Sequence, residues 1–172
     1  LLNEPAAKEA IRFLHGLIQA LLHGGQAHLV LWDGKDNVEF GRYAAHRNAR
    51  VIAELGTVLQ DLVQEITRRA GLFRQVGVSS LPEYNERQAE KLPPLVLIID
   101  EAAFIPETDQ PALINLVARG GAFGLHPIIA TQKPDAQAVQ TLVKSNLSTR
   151  IALPVPTYWD SQVILGRPGA EK

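Results

Sequence analysis

The stretch "PLVLIIDEAAFIPE", residues 94–107, decides the fold class because its apolar run ends on two adjacent acids. A short, uninterrupted apolar run is typical of a strand that is buried on both faces, as in a parallel sheet. Asp100 and Glu101 then stand at the carboxyl end of that strand, where open parallel sheets bind their ligands. The two acids are therefore the first candidates for chemistry.

The composition bounds the class of protein. With 172 residues, 46% of them hydrophobic, the chain is long enough for one domain, and we expect residues 1–172 to form it. No apolar run approaches the roughly 20 residues of a membrane span, so we expect a soluble chain. Cysteine is absent, which excludes disulfides and thiolate metal sites. Methionine is absent too and the chain begins at Leu1, so we expect a piece of a longer protein.

Strand and helix patterns alternate along the chain. Helices are predicted at 6–22, 47–73, about 110–119 and 135–144, with a short helix opening in the Ser-Leu-Pro-Glu segment at 80–83. Strands are predicted at 27–33, in the apolar run that ends at Asp100, at 126–132 and at 149–155. This alternation predicts an α/β fold with a parallel sheet and helices on both faces.

Polar residues end two of the predicted strands. Because strand side chains alternate, Asp100 and Glu101 can serve two roles, one holding Mg²⁺ and the other orienting an attacking water. Alternatively, Asp100 caps the next helix and Glu101 favours its first turn. Thr131 and Gln132 end the next apolar strand, where a side-chain amide could sense a phosphate, although Gln132 also suits a plain turn.

Two basic clusters are candidates for contact with DNA phosphates or with the nucleotide of a neighbouring subunit. The net charge is −1, so any nucleic-acid surface has to be a local patch. Exposed, solvated helix faces carry the same pattern and remain the alternative. The clusters are Arg42, His46, Arg47 and Arg50, and Arg68, Arg69 and Arg74.

Four stretches, in this order, carry a family resemblance: "LVLWDGKDNVEF" (29–40), "PPLVLIIDEAAFIPE" (93–107), "GGAFGLHPIIATQKPDAQAVQTLVKSNLSTRIALPV" (120–155) and "WDSQVILGRPGAEK" (159–172). Together they resemble the FtsK/SpoIIIE-type DNA translocases of the HerA/FtsK group of P-loop ATPases. Asp33 and Lys35 match the Asp-x-Lys stretch of that family, and a plain turn would carry the same letters.

The resemblance implies a RecA-like motor domain that forms a ring, usually a hexamer, around double-stranded DNA and hydrolyses ATP. In such a domain Asp100 would hold Mg²⁺ beside the nucleotide and Glu101 would be the catalytic glutamate that positions water. Gln132 would contact the terminal phosphate. Lys8 would occupy the position of the phosphate-loop lysine, and its alternative is an ordinary exposed helix lysine.

The chain departs from the family pattern at the phosphate loop. Ala6 and Ala7 stand where the family has glycines, and Glu9 stands where it has a hydroxyl. Gly121 and Tyr158 stand where the family has basic residues. We therefore expect a fold that is incomplete at the first strand and the phosphate loop.

Two interpretations follow from these departures. One is an authentic translocase seen incompletely, in the cytoplasm or held at the inner face of the membrane through segments outside this chain. The other is a catalytically degenerate relative that acts as an assembly or regulatory module in a secretion or conjugation machine.

Overall fold

A four-stranded parallel sheet forms the centre of the computed structural model, which describes residues 4–35, 38–132, 147, 149–155 and 157–171, with only the backbone at 4–7. The strands are β1 (His28–Asp33), β2 (Ala49–Ile52), β3 (Leu95–Asp100) and β4 (Leu125–Ile129). Their order across the sheet is β2-β1-β3-β4. The α/β class and the parallel sheet predicted from the sequence are confirmed.

Five α-helices accompany the strands in the described residues. They are α1 (Glu4–Gly24), α2 (Leu55–Val76), α3 (Leu81–Arg87), α4 (Gln110–Arg119) and α5 (Tyr158–Leu165). The helices predicted at 6–22 and about 110–119 are confirmed, as is the short helix that opens beside Ser80. Among the described helices, none combines the length and apolar composition needed to cross a membrane.

The apolar run of β3 serves two cores, one on each face of the sheet. Leu97 and Ile99 pack with residues of α2 and α4. Val96 and Ile98 pack on the other face, with Leu14, Ile18 and Leu22 of α1. Successive strand residues point to opposite faces, so a strand covered on both sides has to be apolar throughout.

The helix predicted at 47–73 is wrong at its beginning. Residues Ala49–Ile52 form β2, which pairs with β1 from Leu29↔Ala49 to Trp32↔Ile52, and α2 begins only at Leu55. Val51 belongs to the core on the α1 side and Ile52 to the core on the α2 side, as strand neighbours do. The spacing of Val51, Ile52 and Leu55 also fits a helix, which explains the error.

The last two predicted strands also need correction. β4 ends at Ile129 rather than at 132, so Thr131 and Gln132 lie just beyond it. Residues 149–155 form neither helix nor strand; Ile151 is 61% exposed, and Pro154 has no N–H to donate to a neighbouring strand. The helix predicted at 135–144 lies outside the described residues.

A buried arginine on α2 joins the segments that lead into β3 and β4. Arg69 is 1% exposed; its Nη2 donates to the Pro93 carbonyl and its Nη1 to the Phe123 carbonyl, each at 2.8 Å. Its Nε donates to Glu65 Oε1 at 2.7 Å. Arg69 is therefore a structural residue, and neither DNA contact nor a solvated surface applies to it. Its neighbour Arg68 is exposed and also pairs with Glu65.

We predict that Arg69→Met lowers the free energy of unfolding by about 3–4 kcal/mol, because two partly buried carbonyls lose a donor and the Glu65 carboxylate loses one of its two arginine partners. Arg68→Met is the matched control, since it removes an exposed partner of the same Glu65, and it should change the stability by less than about 1 kcal/mol. Urea denaturation of the two variants measures the difference. Equal losses would contradict the role given to Arg69.

Candidate functional site

The carboxyl ends of β1, β3 and β4 bring the predicted site residues together. Asp33, the last residue of β1, is the register partner of Asp100, the last residue of β3. The ladder between β3 and β4 continues past Ile129, because Ala130 N donates to Ile99 O at 2.8 Å and Ala102 N donates to Ala130 O at 2.9 Å. Residues 131 and 132 are thereby held beside the end of β3 that carries Asp100 and Glu101.

Glu101 is the centre of this edge. Its side chain is buried, with the residue 3% exposed. Oε1 accepts hydrogen bonds from Thr131 Oγ1 at 3.0 Å and from the Gln132 backbone N–H at 3.1 Å. Oε2 lies 3.2 Å from Lys35 Nζ. Donors from the loops after β1 and β4 thus converge on one carboxylate.

The backbone at Glu101 has an uncommon conformation. Among the described residues it is the one non-glycine with a positive φ, at φ 59° and ψ 68°. A non-glycine side chain in this left-handed region costs about 1 kcal/mol or more, and such strain is found disproportionately at functional sites. The conformation turns the chain between β3 and the single 3₁₀ turn at Ala102–Phe104. Glu101 does not begin an α-helix, so the capping alternative for the two acids does not describe this turn.

Asp100 is destabilised as an anion. Burial is the main cause that raises its pKa to about 6, and the nearby carboxylates of Asp33 and Glu101 raise it further. The Glu101 backbone N–H and Lys35 act in the opposite direction but do not offset these effects. A cation bound at Asp100 would relieve the repulsion, so the donor chemistry fits a hard divalent ion such as Mg²⁺.

Asp33 organises the loop that follows β1. Its Oδ1 accepts from the Lys35 N–H at 2.8 Å and its Oδ2 from the Glu39 N–H at 3.3 Å. These bonds satisfy a carboxylate that is 3% exposed. The sequence grouped Asp33 with Lys35, but not with Asp100 and Glu101. The sequence did contain a signal, because Asp33 ends an apolar run just as Asp100 does.

Lys8 is in the second turn of α1 and is exposed. The segment of three residues between α1 and β1 makes the helix run back along the strand, so its first turns lie toward the carboxyl edge of the sheet. The contact of Lys8 with a nucleotide stays a prediction. The structure brings together Asp100, Glu101 and Gln132, as expected from their positions at strand ends.

Comparison with known proteins agrees with this geometry. The chain is 37% identical over 123 residues to DNA translocase SftA of Bacillus subtilis strain 168, covering 66% of this chain and 13% of SftA. It is 35% identical over 175 residues to DNA translocase FtsK of Helicobacter pylori strain J99, covering 92% of this chain and 20% of that protein. The chain thus spans a fifth or less of the length of these relatives. No family model matches it.

A solved structure shares the fold. The pCW3 conjugation coupling protein TcpA, in its monomer form with ATPγS, superimposes with a TM-score of 0.76 at 25% identity, over 84% of this chain and 46% of TcpA. The parallel sheet and this likeness define a RecA-like P-loop ATPase domain. The sequence identity to the relatives named above shows that the chain belongs to the FtsK/SpoIIIE-type family of DNA translocases.

We predict that Asp100→Asn stabilises the protein when Mg²⁺ and nucleotide are absent. The folded-state pKa of Asp100 is raised to about 6, so its ionisation destabilises the fold fully above pH 6 and not at all below pH 4. The gain in unfolding free energy should be about 1–2 kcal/mol at pH 8, allowing for solvent screening, and should shrink as the pH falls toward 4. Denaturation in EDTA at several pH values measures it.

The control for this experiment is Asp61→Asn, because Asp61 lies on the exposed face of α2. It should change the stability little at any of these pH values. A loss of stability in Asp100→Asn at pH 8 would contradict the electrostatic account of the edge.

Proposed function

We propose that this chain is the ATP-hydrolysing motor domain of a DNA translocase, acting as a hexameric ring around double-stranded DNA. The observation that carries the proposal is the convergence of Asp100, Glu101 and the Thr131–Gln132 segment at one sheet edge. A carboxylate that holds the metal ion and a second group that orients the attacking water are recurring parts of sites that hydrolyse a phosphoanhydride. The family supplies the substrate class.

Asp100 is proposed to hold Mg²⁺. Asp100 is the residue that would hold the ion, and a bound Mg²⁺ would supply positive charge to offset the negative charge developing on the phosphates of ATP. Asp100 fits this role because its carboxylate is partly buried, ends a strand and is destabilised as an anion by Asp33 and Glu101. Mg²⁺ is usually held by one or two carboxylates together with phosphates, and Asp100 supplies one.

Glu101 is proposed to orient the attacking water and to accept its proton. A general base has to be fixed in position and must keep a lone pair for the water. The Thr131 hydroxyl and the Gln132 N–H fix Oε1. The side-chain amide of Gln132 is proposed to contact the terminal phosphate, and the ammonium of Lys8 to contact the phosphates from the start of α1.

Exposed basic residues in the connection between β1 and β2, and one on β2 itself, are proposed to contact DNA phosphates or the nucleotide of a neighbouring subunit. They are Arg42, His46, Arg47 and Arg50. Attachment to the inner face of a membrane is proposed to come from segments outside this chain, because the relatives are five or more times longer than the part matched here.

The second candidate function is a degenerate module for assembly or regulation in a conjugation or secretion machine. Ala6, Ala7 and Glu9 favour it, because they replace the glycines and hydroxyl that would wrap a phosphate, and an acid repels one. The fold shared with a conjugation coupling protein also favours it.

We predict that Glu101→Gln lowers DNA-stimulated ATP hydrolysis by the full-length protein about 100-fold or more, because the amide cannot accept a proton from water. Nucleotide binding should persist, since Gln keeps the shape and most of the hydrogen bonds. Glu107→Gln, an exposed acid six residues further along, should leave the rate unchanged. Phosphate release with and without double-stranded DNA, and fluorescent-nucleotide binding, are the two measurements.

The same assays separate the two candidates. Hydrolysis that survives in Glu101→Gln would remove Glu101 from its role. A full-length protein that binds no nucleotide at all would favour the degenerate module.

A further inference from the structure

Lys35 is the cation that the structure places on Glu101. Its Nζ lies 3.2 Å from Glu101 Oε2, with the Lys35 side chain 49% exposed and the Glu101 side chain 4% exposed. A lysine paired with a buried carboxylate differs from an ordinary surface ion pair, because removing the lysine would leave a buried charge without this charged partner. The pair also joins the loop after β1 to the turn after β3.

We propose that Lys35 is a positioning residue for Glu101, holding the second carboxylate oxygen so that the remaining lone pair of that oxygen faces the attacking water. The proposal rests on the function proposed above for Glu101. It gives the 33–35 turn a part in the hydrolytic step that is distinct from binding of the nucleotide.

The contacts of the turn at 33–35 direct the Lys35 side chain toward Glu101. Asp33 accepts the Lys35 backbone N–H at 2.8 Å, which fixes where the lysine leaves the chain. Gly34 N donates to Asp100 O at 3.1 Å, tying the turn to the end of β3. A Cβ at Gly34 would lie 2.8 Å from Phe104 Cβ and 3.2 Å from the Glu101 carbonyl oxygen. The turn therefore packs directly on the segment that carries Glu101, and a side chain at position 34 would force them apart.

The donors divide between the two oxygens of Glu101. Oε1 takes the Thr131 hydroxyl and the Gln132 N–H, which together use its two lone pairs. A carboxylate held at one oxygen alone can still swing its other oxygen through coupled changes in its side-chain torsions, of which the terminal one is broad. The ammonium at Oε2 opposes that movement and, in the described residues, occupies one of the two acceptor positions there. The other position is the one left for water.

Charge also favours a cation here over a neutral donor. Asp33 and Asp100 end the two strands that flank this turn. The carboxylates of Asp33 and Glu101 raise the pKa of Asp100, and the ammonium of Lys35 lowers it. A charge-assisted bond is shorter and stronger than a neutral one. The flexible stem of lysine reaches Glu101 while about half of the Lys35 side chain stays exposed.

The test compares Lys35→Met with Lys35→Arg and with Lys91→Met, an exposed lysine far along the chain. In the full-length protein with double-stranded DNA, Lys35→Met should lower kcat about 10- to 100-fold, because the base is no longer held in line. KM for ATP should change by less than about threefold, since the lysine acts on Glu101. Lys35→Arg keeps the cation and should recover part of kcat; Lys91→Met should match the wild type.

A second readout needs no turnover. Amide hydrogen exchange at Gln132, measured by mass spectrometry on the nucleotide-free full-length protein, should speed up about tenfold in Lys35→Met, because its acceptor on Glu101 is no longer held. The Gly34 amide, which donates to the Asp100 carbonyl, is the internal control and should not change.

The outcomes separate the two levels of inference. A wild type that turns over ATP while Lys35→Met keeps its kcat and its Gln132 protection overturns the positioning role and leaves the proposed function standing. A raised KM at unchanged kcat would make Lys35 a nucleotide ligand instead, and would also overturn it. A wild type with no turnover at all overturns the proposed function itself, and the role of Lys35 with it.

Discussion

The burial of the Glu101 carboxylate is the constraint on which the edge of the sheet depends. An ionised carboxylate that is removed from water without partners is destabilised by several kcal/mol. Here its partners come from two separate loops, Lys35 after β1 and Thr131 and Gln132 after β4. Those donors meet only if β1, β3 and β4 keep one register, so the position of a single side chain ties together three strands that are distant in sequence.

The opposite edge of the sheet is fixed by another charged group. Arg69 binds the carbonyls of Pro93 and Phe123, in the segments that lead into β3 and β4. Between the two edges, the alternating residues of β3 fill both cores. Sliding β4 along β3 by one residue would exchange the faces of its side chains and move Thr131 away from Glu101. The two charged anchors and the apolar strand thus favour the same alignment.

Much of this arrangement could be predicted from the sequence, and the reasons are specific. The run before Asp100 is apolar at every position, which only a strand covered on both faces requires. Parallel strands end at the same edge, so the proximity of Asp100, Glu101 and Gln132 followed from position alone. β2 was missed because four residues are too few to separate a strand period from a helix period. The contacts of Lys35 and Arg69 depend on turn geometry and on burial, which a list of charges does not contain.

The two aspartates at this edge, buried Asp33 and half-buried Asp100, are not equivalent, and the difference bears on which of them can hold a metal ion. Asp33 has its oxygens engaged by the backbone N–H groups of Lys35 and Glu39, so it already serves the loop. Asp100 instead carries a raised pKa, because burial and two acid neighbours oppose its charge. A divalent cation would gain more interaction energy at Asp100, whose anionic form is destabilised, than at Asp33, whose charge the two N–H donors already stabilise. Asp33 is one of the groups whose charge repels Asp100. The same aspartate that orders the turn at 33–35 therefore also increases the affinity of Asp100 for a cation.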